Sequence, residues 1–152
     1  MLTTLSEASF SEAFVSEFRE LTKRIFGKAA DESWLDSLKW RLERMPDVSV
    51  FVAETDSRWI GFKAGYAIAQ DRYYSWLGGV DPDFRKRGVA KELMGEQHKW
   101  LRGTRFQLLE THVEQDNSAM IQLNIDSGLR ITGLFLKDDK PYFVMQKGLT
   151  PT

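Results

Sequence analysis

The chain has 152 residues, of which 42% are hydrophobic and 28% charged, a composition typical of one globular domain with its own core. Its 21 basic and 22 acidic residues give a net charge of −1, so any anion binding must come from a local arrangement. The absence of cysteine excludes disulfides and cysteine nucleophiles, and with two histidines we expect no metal site.

The N-terminal residues show no basic segment followed by an apolar one, so the sequence predicts no signal peptide. No apolar run approaches the roughly 20 residues that a membrane-spanning helix needs. We therefore expect a cytoplasmic protein with no membrane partner, and the near-zero net charge also predicts no nucleic-acid partner.

The first two elements are predicted to be helices. Apolar residues recur at helical spacing over residues 10–25, and Ser9 with Glu12 has the pattern of a capping box. A second apolar stripe covers residues 35–45 and ends at Pro46, which cannot continue a helix.

The remaining elements alternate between strands and helices. In chain order they are three strands over 48–54, 59–69 and 73–80, a helix from Gly88, a strand over 105–113, a helix over 117–127, and two strands over 129–136 and 141–149. Strands joined by short turns pair antiparallel, whereas the strand–helix–strand unit implies a parallel pair. We predict one α+β domain over residues 1–152, built as three α/β/α layers: a mixed, mostly antiparallel sheet with helices on both faces.

The stretch "RKRGVA" is a candidate anion site. It places Arg85, Lys86 and Arg87 directly before Gly88, where a helix is predicted to begin. The unpaired N–H groups and the dipole of a helix start attract anions, and a glycine lets an anion approach the backbone. The pattern has two interpretations: a solvated helix start, or a cradle for a pyrophosphate.

Two features near this stretch favour the cradle. Gly78 and Gly79 weaken the preceding strand without an evident packing benefit, which is typical of a bulge or of a ligand lying along the backbone. Asn117 begins a short helix next to the predicted end of the parallel strand, where ligands bind in open sheets. The alternative role of Asn117 is that of a plain N-cap.

These residues resemble the GCN5-related N-acetyltransferase (GNAT) family, whose members use acetyl-CoA. The family signature of Gln or Arg, two residues, Gly, one residue, then Gly or Ala is matched by Arg85, Gly88 and Ala90. The family's second motif, an Asn, an apolar helix and a Gly–aliphatic pair, is matched over residues 117–129. The resemblance covers roughly residues 49–148, and the two leading helices also fit the family's layout.

The resemblance implies acetyl-CoA as co-substrate, an amine as acceptor and no metal. Backbone groups of Val80 and of a bulge that includes Gly79 would pair with the pantetheine arm and polarise the thioester carbonyl. Asn117 would contact the pantetheine. The pyrophosphate would be held by the Arg85 side chain and by the backbone of the residues at the helix start: Arg85, Lys86, Arg87, Gly88, Val89 and Ala90.

The catalytic base is less clearly marked. In several family members a Glu five residues before the motif Asn serves as base, and this position is His112 here. An imidazole can accept a proton at neutral pH, although His112 could equally be an ordinary strand residue. Glu110 and Glu54 are weaker candidates for the same role.

The sequence departs from the family at the acid that protonates the leaving thiolate. The family often carries Tyr seven residues after the motif Asn, and here that residue is Asn124, whose amide cannot give up a proton. Tyr74 and Tyr142 are weak candidates for the acid, and a thiol with pKa near 8.5 can also leave unassisted.

We predict an N-acetyltransferase that transfers an acetyl group from acetyl-CoA to a primary amine by direct attack in a ternary complex, since no nucleophile constellation for a covalent intermediate is visible. The alternative is a non-catalytic acyl-CoA-binding or sensing domain of the same fold. The resemblance implies that the loop over residues 26–31 and the last hairpin select the acceptor, and it is compatible with a homodimer.

Overall fold

A computed structural model describes residues 2–6 and 11–149, with the backbone alone for residues 2–6. Seven strands and four α-helices lie in these ranges. In chain order they are β1 Leu2–Ser6, α1 Glu12–Phe26, α2 Glu32–Arg44, β2 Ser49–Thr55, β3 Arg58–Ala67, β4 Arg72–Val80, α3 Val89–Arg102, β5 Leu108–Glu114, α4 Ser118–Asp126, β6 Arg130–Lys137 and β7 Lys140–Gly148. Short 3₁₀ turns occupy Gly27–Ala29 and Pro82–Phe84.

The strands form one mixed sheet in the order β1-β2-β3-β4-β5-β7-β6. The β4 and β5 strands pair parallel across the α3 connection, and the other neighbours pair antiparallel. The sequence therefore predicted the parallel pair correctly. It did not predict β1, which extends the sheet by pairing antiparallel with β2.

Helices cover both faces of the sheet, which confirms the predicted three layers. On one face, Phe18 of α1 and Leu35 of α2 pack with Phe62 of β3 in a buried apolar cluster. On the other face, Val89 and Leu93 of α3 form a second buried cluster with β2 and β3 residues. None of the helices in the described ranges is long and apolar enough to cross a membrane.

The helix boundaries follow local capping. Ser11 caps α1 by accepting the N–H of Phe14 at 3.2 Å, and Asp31 caps α2 by accepting the N–H of Trp34 at 2.9 Å. The predicted capping box depended on Ser9, which lies outside the described residues.

The sheet opens between β4 and β5, and this opening positions the site. The two strands pair over only four residues each, Arg72 to Ser75 and Leu108 to Thr111. Both continue beyond that point, β4 to Val80 and β5 to Glu114, without pairing to each other. The far half of β4 therefore presents an unpaired backbone edge to the opening.

A bulge lies at the start of this opening. Leu77 is opposite Ala64 and Ser75 is opposite Gly65, so Trp76 is the extra residue on β4. Gly78 and Gly79 pair regularly with β3, so of the two alternatives predicted for these glycines the bulge is excluded, and a ligand along the backbone stays a prediction. The bulge lies two residues earlier, on an aromatic residue.

Candidate active site

A cleft of about 580 Å³ lies at the opening, between the β4 edge and the helices α3 and α4. We call it the α3–α4 cleft. Five predicted binding residues line it: Gly79, Val80, Arg85, Ala90 and Asn117. The structure thus brings together residues from β4, from the loop before α3, from α3 and from the start of α4.

The loop before α3 has the conformation that an anion cradle requires. Gly88 caps α3 with a left-handed φ of 80°, and a Cβ added there would meet nothing within 4 Å. The position is therefore open, and glycine adopts this backbone conformation without strain. The first N–H groups of α3 have no acceptor within the helix, so they are available to a ligand.

The basic residues of this loop have different roles. Arg85 lines the cleft, and its Nε donates to the carbonyl of Val80 at 3.2 Å. The guanidinium of Arg87 lies 5.2 Å from the ring centre of Phe84 instead. Lys86, Arg87, Gly88 and the buried Val89 are not among the residues that line the cleft, so their role in holding a pyrophosphate through the backbone stays a prediction.

Asp81 fixes this loop, a role that the sequence analysis missed. Its buried carboxylate accepts hydrogen bonds from Arg24 at 3.0 Å, Arg58 at 3.2 Å and the N–H of Asp83 at 3.0 Å. Burial alone would raise the pKa of Asp81, but the hydrogen bonds from Asp83 and Arg24 and the two guanidinium charges hold it below its ordinary value. Asp81 thus joins α1, β3 and the loop before α3.

Gly79 has a packing role as well as a place in the cleft. A Cβ at this position would lie 2.6 Å from Cγ2 of Ile25. The expectation that this glycine brings no packing benefit is therefore wrong, because the end of α1 approaches β4 too closely for any side chain.

Asn117 combines its two alternative roles. Its Oδ1 accepts the N–H of Met120 at 3.2 Å, which makes it the N-cap of α4. The same residue lines the α3–α4 cleft. Gly128 follows this helix with a left-handed φ of 97°, a conformation that favours glycine.

Lys63 is a further cleft residue that the sequence analysis missed. It lies on β3 opposite Gly78 and lines the α3–α4 cleft. Its ammonium makes no hydrogen bond or ion pair with another described residue. Burial lowers the pKa of Lys63 to about 8, so its ammonium loses the proton much closer to neutral pH than an ordinary lysine does.

A second cleft of about 450 Å³ lies on the opposite face of the sheet, between α2, the β4–β5 opening and the β6–β7 hairpin. We call it the α2 cleft. Three of the predicted catalytic candidates line it: His112, Tyr74 and Tyr142. The loop over residues 26–31 does not, since the wall is formed by α2 itself and Phe26 lines the other cleft.

His112 is held by Glu110. The Nε2 of His112 lies 3.0 Å from Oε2 of Glu110, whose other oxygen accepts from Gln146 at 2.7 Å. Because a carboxylate only accepts hydrogen bonds, the Nε2 of a neutral His112 carries the proton and Nδ1 keeps its lone pair. Tyr74 and Phe135 pack on the imidazole, with ring centres 4.7 Å and 4.9 Å away.

The other acid and base candidates occupy different environments. Burial raises the pKa of Tyr74 to about 12, so its hydroxyl stays protonated and can donate at neutral pH. Tyr142 stacks on Phe135, with ring centres 5.6 Å apart. Asn124 is 2% exposed and its Nδ2 contacts the sulfur of Met145 at 3.6 Å. Glu54 lies on β2 and lines neither cleft.

The described residues contain no group of three or more His, Cys, Asp or Glu side chains arranged to hold a metal ion. The groups that the two clefts offer to a ligand are backbone amides, the His112–Glu110 pair, the tyrosines and four cationic side chains: Arg85 and Lys63 in the α3–α4 cleft, and Arg41 and Lys137 in the α2 cleft.

This architecture is that of an acetyltransferase fold with a cleft on each face of a split sheet. Residues 15–123 match the model of the acetyltransferase (GNAT) family. The match covers more than half of the chain, and the chain belongs to this family. No protein with a curated description matches the sequence significantly.

Solved structures of similar fold cover almost the whole chain. The ribosomal-protein-S18-alanine N-acetyltransferase of Escherichia coli is 16% identical and superposes with a TM-score of 0.79, covering 99% of this chain and 96% of its own. An aminoglycoside 6'-N-acetyltransferase complexed with coenzyme A is 12% identical, with a TM-score of 0.81 and coverages of 100% and 99%. A chimeric spermidine N-acetyltransferase, SpeG from Vibrio cholerae and hSSAT, is 15% identical, with a TM-score of 0.75 and coverages of 98% and 96%. At these identities the likeness establishes the shared fold.

Proposed function

We propose that this protein transfers an acetyl group from acetyl-CoA to a primary amine by direct attack in a ternary complex. The observation that carries the proposal is the pair of clefts that open from opposite faces at the β4–β5 opening. One cleft has features suited to a coenzyme and the other holds a histidine base. An acceptor and a donor could therefore meet at the opening without a covalent enzyme intermediate.

The α3–α4 cleft is the proposed coenzyme site. The open Gly88 turn, the free N–H groups of α3 and the Arg85 side chain suit a pyrophosphate. The unpaired edge of β4 and Asn117 would bind the pantetheine arm. Bound there, acetyl-CoA supplies the acetyl group in activated form, as a thioester.

The α2 cleft is the proposed acceptor site, with His112 as the base. An alkylamine with a pKa of about 10.4 is mostly protonated at neutral pH and must lose a proton to become a nucleophile. The free Nδ1 of His112 would accept that proton, and Glu110 would hold the ring and stabilise the imidazolium. As the new N–C bond forms, the C–S bond breaks; the nitrogen then loses its second proton, which the leaving thiolate takes up directly or through water, and the proton on His112 passes to solvent.

Tyr74 is the better placed of the two candidate acids. It lies on β4 where the parallel pairing ends, and it packs against His112. Its raised pKa of about 12 keeps the hydroxyl protonated, so Tyr74 would stabilise the leaving thiolate as a hydrogen-bond donor rather than give up its proton. Asn124 cannot serve because its amide is packed in the core against Met145.

Calorimetric titration with acetyl-CoA tests the coenzyme half of the proposal. We expect Arg85→Ala to weaken binding by about tenfold or more, through the loss of charge-assisted hydrogen bonds. Gly88→Glu should weaken it further, because it places a negative charge and a strained φ in the cradle. The matched controls are Arg130→Ala and Gly95→Glu, both exposed and outside the cleft. Equal binding by all five proteins would contradict the assignment.

Release of free thiol from acetyl-CoA in the presence of amines tests catalysis. The chain contains no cysteine, so a thiol-reactive dye reports only the product. We expect amine-dependent release that follows saturation kinetics in both substrates. Tight binding of acetyl-CoA without release for any amine would instead indicate the non-catalytic acyl-CoA-binding domain.

A further inference from the structure

The charges of the α2 cleft restrict the acceptor. The two formally charged side chains that line it are Arg41 on the α2 wall and Lys137 on the hairpin wall. Neither forms an ion pair with a described carboxylate, and no aspartate or glutamate lines the cleft. A polycation entering this cleft would meet two like charges and no counter-charge.

The carboxylates nearest to the cleft are already engaged or face elsewhere. Glu110 lies behind His112 and is bound by it, by Gln146 and, at 4.0 Å, by Arg72. Asp139, in the turn of the β6–β7 hairpin, lines a separate shallow depression beside Glu114. Glu110 is thus already engaged, and Asp139 does not line the α2 cleft.

The walls of the cleft are largely aromatic. They include Trp34, Tyr74, Trp76, Phe135 and Tyr142. Such surfaces bind flat or apolar groups, and together with the two cations they leave an added ammonium group without a carboxylate partner. The volume of about 450 Å³ suits a small molecule.

Arg41 is held ready to receive an anion. Its guanidinium donates from Nη1 to the hydroxyl of Ser37 at 2.6 Å and lies 5.4 Å from the ring centre of Trp76. These contacts position the planar group on the aromatic wall while its other N–H groups stay without a carboxylate. A guanidinium in this state binds a carboxylate by two parallel hydrogen bonds.

We infer that the acceptor is a small amine with an aromatic or apolar body and an anionic group, such as an aromatic amino acid, rather than a polyamine or an aminoglycoside. This inference rests on the proposed function: the amine reaches His112 at the opening, the body lies against the aromatic walls and the anion pairs with Arg41 and Lys137. In this respect the chain differs from the aminoglycoside and spermidine acetyltransferases whose fold it shares, because those enzymes are named for polycationic acceptors.

Matched amines that differ only in the carboxylate test the inference. We would compare tryptophan with tryptamine, and phenylalanine with phenethylamine, beside spermidine and an aminoglycoside, by thiol release from acetyl-CoA. We expect kcat/KM to be about ten- to hundredfold higher for each amino acid than for its decarboxylated partner, and lowest for the polycations. Higher kcat/KM for the polycations, with turnover established, would overturn the inference and leave the proposed transferase activity intact.

Variants of the two cations make the test specific. Arg41→Gln and Lys137→Gln should lower kcat/KM for tryptophan by about tenfold each and change that for tryptamine little. The control is Arg44→Gln, since Arg44 carries the same charge on the same helix but stacks on the exposed Trp40. An equal loss for both amines in Arg41→Gln would show that Arg41 only supports the cleft wall, and would contradict anion recognition.

Binding measurements keep the two hypotheses separable. If no amine gives thiol release, titration of coenzyme A-saturated protein with the same pairs still tests the preference. Tighter binding of tryptophan than of tryptamine, lost in Arg41→Gln, would support anion recognition even though the transferase proposal had failed. Equal binding of the two would overturn the inference.

Discussion

The two clefts differ in what they are made of. In the α3–α4 cleft, the features that suit the proposed coenzyme are largely backbone ones: a left-handed glycine beside it, the free N–H groups of a helix start and an unpaired strand edge, although apolar side chains also line it. The α2 cleft is built from side chains of elements far apart in sequence, between Trp34 and Tyr142. Backbone groups suit a ligand that is the same in every member of a family, such as a coenzyme. Side chains can be substituted during evolution to suit different acceptors.

Of the variants that distinguish the roles of the two clefts, His112→Gln is expected to have the largest effect. This change keeps a polar side chain of similar size but removes the basic nitrogen. We expect kcat to fall about 100- to 1,000-fold with the Kd for acetyl-CoA unchanged, because His112 serves only the α2 cleft. Steady-state thiol release and calorimetry measure the two quantities.

Glu110→Gln is the companion to this variant. It should lower kcat less, because the histidine remains and loses only its orienting carboxylate. A His112→Gln protein with a near wild-type rate would exclude His112 as the base, and a changed Kd would show that the clefts are not independent.

Asp81→Asn should lower the stability of the protein and weaken binding in the α3–α4 cleft, without affecting the α2 cleft. The change leaves the two guanidinium groups of Arg24 and Arg58 without a full counter-charge. Because both arginines are partly exposed, we expect the free energy of unfolding to fall by about 2 kcal/mol. Acetyl-CoA binding should weaken as the loop before α3 loosens.

The pH dependence of this effect has a definite sign. Since the pKa of Asp81 is lowered in the folded state, its stabilising contribution is present above the ordinary pKa of 3.8 and is lost as the pH falls below it. Urea unfolding of wild type and variant at several pH values measures the difference. Asp83→Asn, a neighbouring exposed position, is the control. An equal loss of stability in both variants would contradict a stabilising role for the ion pairs of Asp81.

Gly79→Ala tests the packing of the α3–α4 cleft, and its expected effect is smaller. The added methyl would lie 2.6 Å from Cγ2 of Ile25, so the Ile25 side chain or the end of α1 must shift. We expect a loss of about 1 to 2 kcal/mol in unfolding free energy, measured by urea denaturation, and weaker acetyl-CoA binding. Gly133→Ala provides the comparison, because its Cβ would meet Val144 at an ordinary 3.5 Å. Equal stabilities of the two variants would contradict this explanation of Gly79.

Lys63→Met gives the smallest expected effect, and unlike the other variants it should make the protein more stable. Removing an unpaired, buried amine should raise the free energy of unfolding by about 1 kcal/mol at pH 7. Wild type gains stability between pH 8 and 10.5, because there the folded lysine is neutral while the unfolded one is still protonated. The advantage of Lys63→Met should therefore shrink across that range. A constant advantage, or one also seen for the exposed Lys91→Met, would contradict the lowered pKa.

The same difference between the clefts explains what the sequence could predict. Gly88 and Asn117 are recognisable because their motifs are local: a turn before a helix, and a cap at the start of another. The order of elements likewise predicted the parallel β4–β5 pair across α3. Local conformation and short-range connection thus determine the features that could be foreseen.

The features that could not be foreseen depend on distant contacts. The β1 strand is defined by its pairing with β2, and the bulge at Trp76 by its register with β3. Asp81 appears as a loop residue until Arg24 and Arg58 meet it in space. For the same reason the sequence could not show that α2, rather than the loop over residues 26–31, lines the cleft proposed for the acceptor; the last hairpin, also expected there, does line it.

The most direct test of the central claim uses one molecule that spans both clefts. We would join coenzyme A through an acetyl bridge to the amine of tryptophan and measure its Kd by calorimetry beside that of coenzyme A alone. If the clefts meet at the β4–β5 opening, the conjugate should bind at least about a hundredfold more tightly, because its second half binds at high effective concentration. A Kd no lower than that of coenzyme A would contradict the account.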